Sequence, residues 1–240
     1  MKNVVIYPHF TCNLACDYCW VRQLGMRSDA LHPLAEWGQA LSTLDAGDIV
    51  NIVGGEPTLL AGLYDFCRAL PCLWAITTNQ MKWAVWEPFV AKPLPNCAGI
   101  TCSWHEQMPL PDFIDRMYRL SSAGYHVGWS YVSPHITKPR IAGWKGGANH
   151  AIPIESRSNG VTRPCIAGMG HIVVGPAGDI YRCQRYLMAQ AKSMGNLFAG
   201  GLSYLDEPEG CSFNCVPCYE EGQFGIREPV LSLPKEAVPV

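Results

Sequence analysis

The chain has 240 residues and a net charge of −2, with 48% of its residues hydrophobic and 16% charged. That balance supports a sizeable core and excludes intrinsic disorder. No Lys/Arg run offers the footprint of a nucleic-acid backbone reader, and no apolar segment approaches the ~18 residues needed to span a membrane.

Apolar runs and amphipathic stretches alternate over residues 1–150, the pattern of βα units and a parallel sheet. The runs at 4–7, 49–53, 73–77, 99–103 and 127–132 predict strands. Those at 34–44, 60–70, 83–91 and 112–123 predict helices, the last closed by Gly124 as a C-terminal cap. The series predicts an α/β fold, a partial (β/α) barrel of about five to six units, whose active site belongs at the C-terminal ends of the strands. Residues 133–164, rich in Pro, Gly, Ser and Asn, read as a long loop or a degraded sixth unit running into a linker. Beyond them, 171–174 and 180–182 predict a β-hairpin around Gly175-Pro176-Ala177-Gly178-Asp179. Pro229, Pro234 and Pro239 predict an extended tail. The expected division is a barrel over 1–150, a small β-hairpin, cysteine-rich domain over 151–228 and a tail over 229–240.

Twelve cysteines would imply disulfides in a short secreted chain. The apolar run before Pro8 is too short for a signal peptide, so the chain reads as cytoplasmic and its thiols as reduced or metal-bound. Cys12, Cys16 and Cys19 stand in Thr11-Cys12-Asn13-Leu14-Ala15-Cys16-Asp17-Tyr18-Cys19. Three thiolates on one loop can hold three irons of a cubane cluster and leave the fourth open for chemistry. The bland alternative is a zinc knuckle, but zinc usually draws four ligands from paired Cys-x₂-Cys hooks, which this loop lacks. Gly54-Gly55-Glu56-Pro57 follows the second predicted strand. Glycines there let the backbone approach a ligand closely. A carboxylate there can pair with a ligand's ammonium group.

The cysteine loop, with Tyr18 before its third cysteine, and Gly54-Gly55-Glu56-Pro57 together resemble the signatures of the radical S-adenosylmethionine (SAM) enzymes. The resemblance covers residues 1–132 well and 165–218 moderately. It implies a [4Fe–4S] cluster on Cys12, Cys16 and Cys19 whose open iron chelates SAM. Reductive cleavage then gives a 5′-deoxyadenosyl radical, with the electron supplied by an external flavodoxin- or ferredoxin-type reductant. It also implies that Gly54, Gly55, Glu56 and Pro57 hold the SAM amino group, that Tyr18 packs near the adenine, and that Thr78, Asn79 and Ser103 lie near the SAM carboxylate and ribose. The adenine motif often found after the fifth strand is not recognisable here. Among the histidines, His105 is placed nearest the substrate. His126, His135, His150 and His171 read as ordinary hydrogen-bonded residues, and Trp104, Trp129 and Tyr131 as core.

Five further cysteines crowd the C-terminal region: Cys165, Cys183, Cys211, Cys215 and Cys218. The Cys-x₁₂-Gly-x₄-Cys spacing of Cys165, Gly178 and Cys183 resembles the opening of the SPASM and twitch auxiliary-cluster domains. There are too few cysteines for a full SPASM domain, so the resemblance implies one auxiliary [4Fe–4S] cluster of the twitch type. The preferred ligand set is Cys165, Cys183, Cys215 and Cys218, with Cys211 the spare thiol or a replacement for Cys215. Structural zinc is the alternative. Cys67, Cys72, Cys97 and Cys102 lack ligand spacing and read as core residues.

The expected activity is that of a radical SAM oxidoreductase. It would abstract a substrate hydrogen and complete a dehydrogenation or cross-link through the auxiliary cluster. The overall layout resembles small twitch-domain alcohol dehydrogenases, and the substrate is a small molecule or a short peptide. Peptide maturases commonly carry an N-terminal leader-binding domain, which the short stretch before Cys12 makes the less expected case. The alternative is a glycyl-radical-enzyme activase acting on a partner protein. A plain two-cluster electron carrier would leave Gly54-Gly55-Glu56-Pro57 without a purpose.

Overall fold

The computed structural model describes residues 1–28, 31–131, 147–148, 163–165, 167–207 and 209–211. For residue 131 and the short strands at 147–148, 163–165 and 209–211 the description concerns the backbone.

Alternation of buried apolar with less buried residues sets the first strands. β1 (Asn3–Ile6) and β2 (Ile49–Ile52) each bury every second side chain completely, Val4 and Ile6 in one, Val50 and Ile52 in the other. Between them lie the cysteine loop, a one-turn helix α1 (Trp20–Gln23) and α2 (Leu34–Ala40). α2 is shorter than expected: the Ser42 hydroxyl donates to the Gln39 carbonyl, a local bond that competes with helix continuation. The helix expected over 60–70 is α3 (Leu63–Ala69), starting only after Gly62 at φ +76°, and a 3₁₀ turn, Pro57–Leu59, precedes it. After β3 (Leu73–Thr78) a 3₁₀ turn, Trp83–Trp86, leads into α4 (Glu87–Ala91). β4 (Cys97–Trp104), α5 (Leu110–Ser122) and β5 (Val127–Tyr131) follow, with Gly124 at φ +97° ending the α5 turn.

The remaining elements are β6 (Gly147–Ala148), β7 (Arg163–Cys165), β8 (His171–Val174), β9 (Asp179–Tyr181), α6 (Gln184–Met188), β10 (Gly195–Asn196), α7 (Leu197–Gly200) and β11 (Glu209–Cys211). The expected hairpin is present as β8 and β9, paired antiparallel. Gly178, at φ +85° in its turn, lies where a Cβ would overlap the Phe198 ring. The segments at 212–240 that include Cys215, Cys218 and the expected tail, and most of 132–162, lie outside the described residues.

Nine strands form one sheet in the order β10-β9-β8-β1-β2-β3-β4-β5-β6, parallel from β8 to β6. β7 and β11 form a separate antiparallel pair. This is a partial (β/α) barrel. β8 adds in parallel to the free edge of β1, with Asn3 opposite His171 and Ile6 opposite Val174, so the C-terminal hairpin continues the barrel sheet.

The helices pack on the face that carries Val4, Ile52, Trp74, Ile76, Ile100 and Trp129, and Trp37, Phe89, Phe113 and Met117 fill the layer between. Each such large side chain contributes about 1.5–3 kcal/mol on burial. By alternation, the inner face carries small and polar residues: Asn3, Asn51, Thr77, Thr101, Ser103 and Ser130. Asn51 donates to Asn3 across this face at 2.6 Å, and Thr77, in mid-sheet, is exposed. The same face also carries Val5, Ile49, Leu73 and Val173, so polar and apolar positions share it. Among the described residues no helix is long and apolar enough to cross a membrane.

Candidate active site

Parallel pairing brings the C-terminal ends of β1, β2, β3 and β4 to one edge, and both sequence motifs emerge there. The Gly55 N–H donates to the His9 carbonyl at 3.0 Å and the Glu56 N–H to the Thr11 carbonyl at 2.9 Å. A Cβ on Gly55 would overlap the Thr11 carbonyl, and one on Gly54, at φ +132°, would press on the His9 carbonyl. The glycines do admit a close neighbour, and that neighbour is the backbone of the cysteine loop.

Glu56 is almost fully buried, with 1% exposure. Its Oε1 accepts from the Thr58 N–H at 3.0 Å, the Thr58 hydroxyl at 2.7 Å and the Thr78 hydroxyl at 2.7 Å. Its Oε2 accepts from the Asn79 N–H at 2.7 Å. Pro57 starts the 3₁₀ turn that aims Thr58 at the carboxylate. The Asn79 side chain then reaches the cysteine loop, donating to Asn13 Oδ1 at 2.8 Å with Cys12 Sγ at 3.9 Å. A continuous chain of contacts thus joins β2, β3 and the first cysteine. Ser103 sits apart from it, its hydroxyl 3.1 Å from that of Ser130 on the inner face.

Cys12 is exposed, Cys16 buried and Cys19 half-buried. Cys12 Sγ accepts from the Leu14 N–H at 3.4 Å. The Cys19 N–H donates to the Cys16 carbonyl, and the Cys19 carbonyl opens α1 by accepting from Gln23. Burial raises the Cys16 thiol above its ordinary value, so this sulfur becomes a thiolate most readily by binding a cation. Among the described residues no three His, Cys, Asp or Glu side chains group around one point as the ligands of a single ion do.

His105, at the end of β4, does not stand at the mouth alone. Its Nδ1 lies 3.0 Å from the Tyr18 hydroxyl and 3.4 Å from Cys16 Sγ, and burial pushes its pKa down to about 4. The Tyr18 and His105 rings are parallel, 6.2 Å apart. Gln107 flanks them, its Nε2 4.0 Å from Cys16 Sγ and its Oε1 accepting from the Ala15 N–H at 3.5 Å. Trp104 packs on the core with its indole N–H on the Met108 carbonyl, and Trp129 is buried.

Three residues here escaped the sequence reading. His9 is buried beside the loop, its carbonyl accepting from the Gly55 N–H, and burial lowers its pKa. Gln80, fully buried at φ +58°, bonds Cys102 through its side-chain amide N–H and receives Arg116 on its backbone carbonyl at 2.9 Å. Gln107 is the third. Only position after a strand end marks them in the sequence, and that marks many residues.

The C-terminal thiols are spread over separate elements. Cys183 is buried and precedes α6. Cys165 stands opposite Glu209 and Cys211 opposite Arg163, so the β7–β11 ladder carries both at diagonal positions. Cys215 and Cys218 lie outside the described residues. A small apolar cluster of Tyr7, Phe10, Val21, Val173 and Leu187, with Cys19 and Trp20 against it, joins the cysteine loop to β8 and α6. Cys67, Cys72 and Cys102 are buried and Cys97 half-buried, all with raised pKa values from burial, as core thiols have.

No family model matches the chain, and no curated protein matches it. Solved structures do. Streptococcus suis SuiB bound to its precursor peptide SuiA superposes with a TM-score of 0.61 at 18% identity, over 85% of this chain and 65% of SuiB. SuiB bound to S-adenosylmethionine gives the same score and identity, over 85% of this chain and 64% of SuiB. The chain therefore spans somewhat less than two thirds of the SuiB length. The anSMEcpe structure with bound AdoMet and the Cp18Cys peptide superposes at 0.52 and 13% identity, over 83% of this chain and 78% of that one. SuiB and anSMEcpe are radical SAM enzymes. The chain has the fold of the radical SAM enzymes.

Proposed function

We propose that the chain is a radical SAM oxidoreductase. In this reading Cys12, Cys16 and Cys19 hold a [4Fe–4S] cluster, and SAM binds beside them at the strand ends. The observation that carries the reading is the joining of the two motifs, with Gly54 and Gly55 packed on the cysteine loop and Glu56 linked through Asn79 to Cys12 and Asn13. When bound, the cluster and SAM together supply an oxidant able to remove a hydrogen atom from an unactivated carbon. The protein's share is placement. Oε1 of Glu56 is committed to three donors, while Oε2 holds one and keeps acceptor capacity for an ammonium group. Tyr18, Thr78, Asn79 and Ser103 complete the proposed SAM surroundings, Thr78 acting by orienting Glu56.

The substrate is a short peptide, oxidised by dehydrogenation or cross-linking. Two things support this: the peptides bound in the SuiB and anSMEcpe structures, and the amide and hydroxyl groups along the inner face, which suit a peptide backbone. Residues 151–228 form an auxiliary unit whose cluster, on Cys165 and Cys183 with two of Cys211, Cys215 and Cys218, accepts the substrate's electron. An external flavodoxin- or ferredoxin-type protein reduces the first cluster.

The test is anaerobic. Reconstituted wild type shows an iron–sulfur EPR signal that changes on adding SAM, and makes 5′-deoxyadenosine on reduction. The Cys12/Cys16/Cys19→Ala triple variant makes none and keeps its second cluster. Full SAM cleavage in that variant would sink the assignment. Deuterated candidate peptides then identify the substrate by transferring deuterium into 5′-deoxyadenosine.

A further inference from the structure

The β4–α5 connection carries side chains that the SAM-site reading does not use, and they converge on one sulfur. His105 Nδ1 lies 3.4 Å from Cys16 Sγ and 3.0 Å from the Tyr18 hydroxyl, and Gln107 Nε2 lies 4.0 Å from that sulfur. Their placement is built in. The Met108 N–H closes on the His105 carbonyl at 2.8 Å, the Trp104 indole holds the Met108 carbonyl at 3.1 Å, and Met108 is buried in the core. Gln107 is steadied by the Ala15 N–H.

An iron-bound thiolate carries no proton and is only an acceptor. An amide beside it interacts favourably by donating, and so does the Nδ1–H tautomer of His105, whose proton the sulfur shares with the Tyr18 oxygen. Hydrogen bonds to cluster sulfurs favour the reduced, more negative state, and so raise the reduction potential.

We propose that His105, supported by Tyr18 and Gln107, is a positioning residue that donates a hydrogen bond to the Cys16 sulfur and sets the potential of the cluster at Cys12, Cys16 and Cys19. The proposal rests on the cluster assignment above. It assigns the β4–α5 connection an electronic role: this connection, 89 residues from Cys16, governs how readily the cluster takes up its electron.

The experiment is an EPR-monitored redox titration of the SAM-responsive signal in the full chain. His105→Ala should lower the reduced-to-oxidised ratio at fixed potential about tenfold, a shift of ~59 mV to more negative values for a one-electron couple. His105→Gln, which restores an N–H donor, should recover much of that shift, and Gln107→Leu should shift it less, in the same direction. A His105→Ala cluster titrating at the wild-type potential overturns the proposal. Should that variant assemble no cluster, ENDOR on wild type grown with ¹⁵N-histidine decides. A nitrogen coupling to the reduced SAM-responsive cluster supports the hydrogen bond, and its absence overturns it. Wild type lacking any SAM-responsive cluster signal defeats the cluster assignment itself, whereas an intact signal with an unmoved potential defeats only the role of His105.

Discussion

Cys12, Cys16 and Cys19 lie on one loop tied to three strand ends, whereas Cys165, Cys183 and Cys211 come from separate elements. In the first region chain connectivity alone keeps the thiols near one another, and the barrel needs only to hold the loop in place. In the second, Cys165 and Cys211 reach diagonal ladder positions only once β7 has paired with β11, and Cys183 follows a hairpin that joins the sheet through β8 and β1. A local site therefore depends on its anchors, and a distributed one on the tertiary fold.

Substituting one glycine in each region sharpens this contrast. Gly55→Ala forces a Cβ into the Thr11 carbonyl, where backbone faces backbone and neither can yield cheaply. We expect about 3 kcal/mol or more of lost stability and loss of the first cluster's iron. Gly178→Ala meets φ +85° and the Phe198 ring, a side chain rather than backbone, held between His32 and Trp37. The expected cost is about 1–2 kcal/mol, with the first cluster retained. Chemical denaturation and iron content of the two variants check both. Equal loss of the SAM-responsive EPR signal would break the comparison.

Glu56→Ala comes next. It leaves four buried donors without their acceptor, so it should cost roughly 3 kcal/mol in stability as well as SAM affinity. Glu56→Gln keeps one acceptor and should fold better, yet it turns one amide donor toward the donors around it. Calorimetric SAM binding alongside urea unfolding separates the two effects. A Glu56→Ala variant as stable as wild type would remove the carboxylate from its anchoring role.

The distributed region has its own test. Cys165→Ala or Cys183→Ala should permit 5′-deoxyadenosine formation while blocking the oxidised product, and iron should fall from about eight to about four per chain. Cys211→Ala is the discriminating variant, because the ladder sets Cys211 diagonal to Cys165. Iron retained in Cys211→Ala with loss in Cys215→Ala identifies Cys211 as the spare thiol, and the reverse result identifies it as a ligand.

The smallest effect concerns the core thiols. Burial raises Cys72 to about 11 and Cys97 to about 12 from an ordinary 9.0, with Cys67 and Cys102 also well up. Unfolded thiols ionise first, so above pH ~9 the unfolded state binds fewer protons than the folded state. Stability should then fall as pH rises, by at most ~1.4 kcal/mol per pH unit for each thiol. Urea midpoints at pH 8 and pH 10 measure this, and Cys102→Ala should flatten the slope.

The barrel strands were legible because alternating or continuous apolar runs report burial directly, and each expected strand is present within two residues of its expected ends. Helices were less so: Gly62 and the Ser42–Gln39 bond cut two of them short through local backbone chemistry that hydrophobic periodicity does not register.

By itself, the sequence determined the βα order, the cysteine triad, Gly54-Gly55-Glu56-Pro57 and the C-terminal hairpin, all features of neighbouring residues. Only the tertiary structure decided that β8 joins β1, that the two glycines pack against the cysteine loop, that Thr78 and Asn79 occupy Glu56, and that His105 meets Cys16. Those pairings link residues 22 to 168 positions apart, as Glu56 with Thr78 and Asn3 with His171 show. Which distant donor reaches a given acceptor depends on sheet order and register, and these are selected by the packing of the whole core.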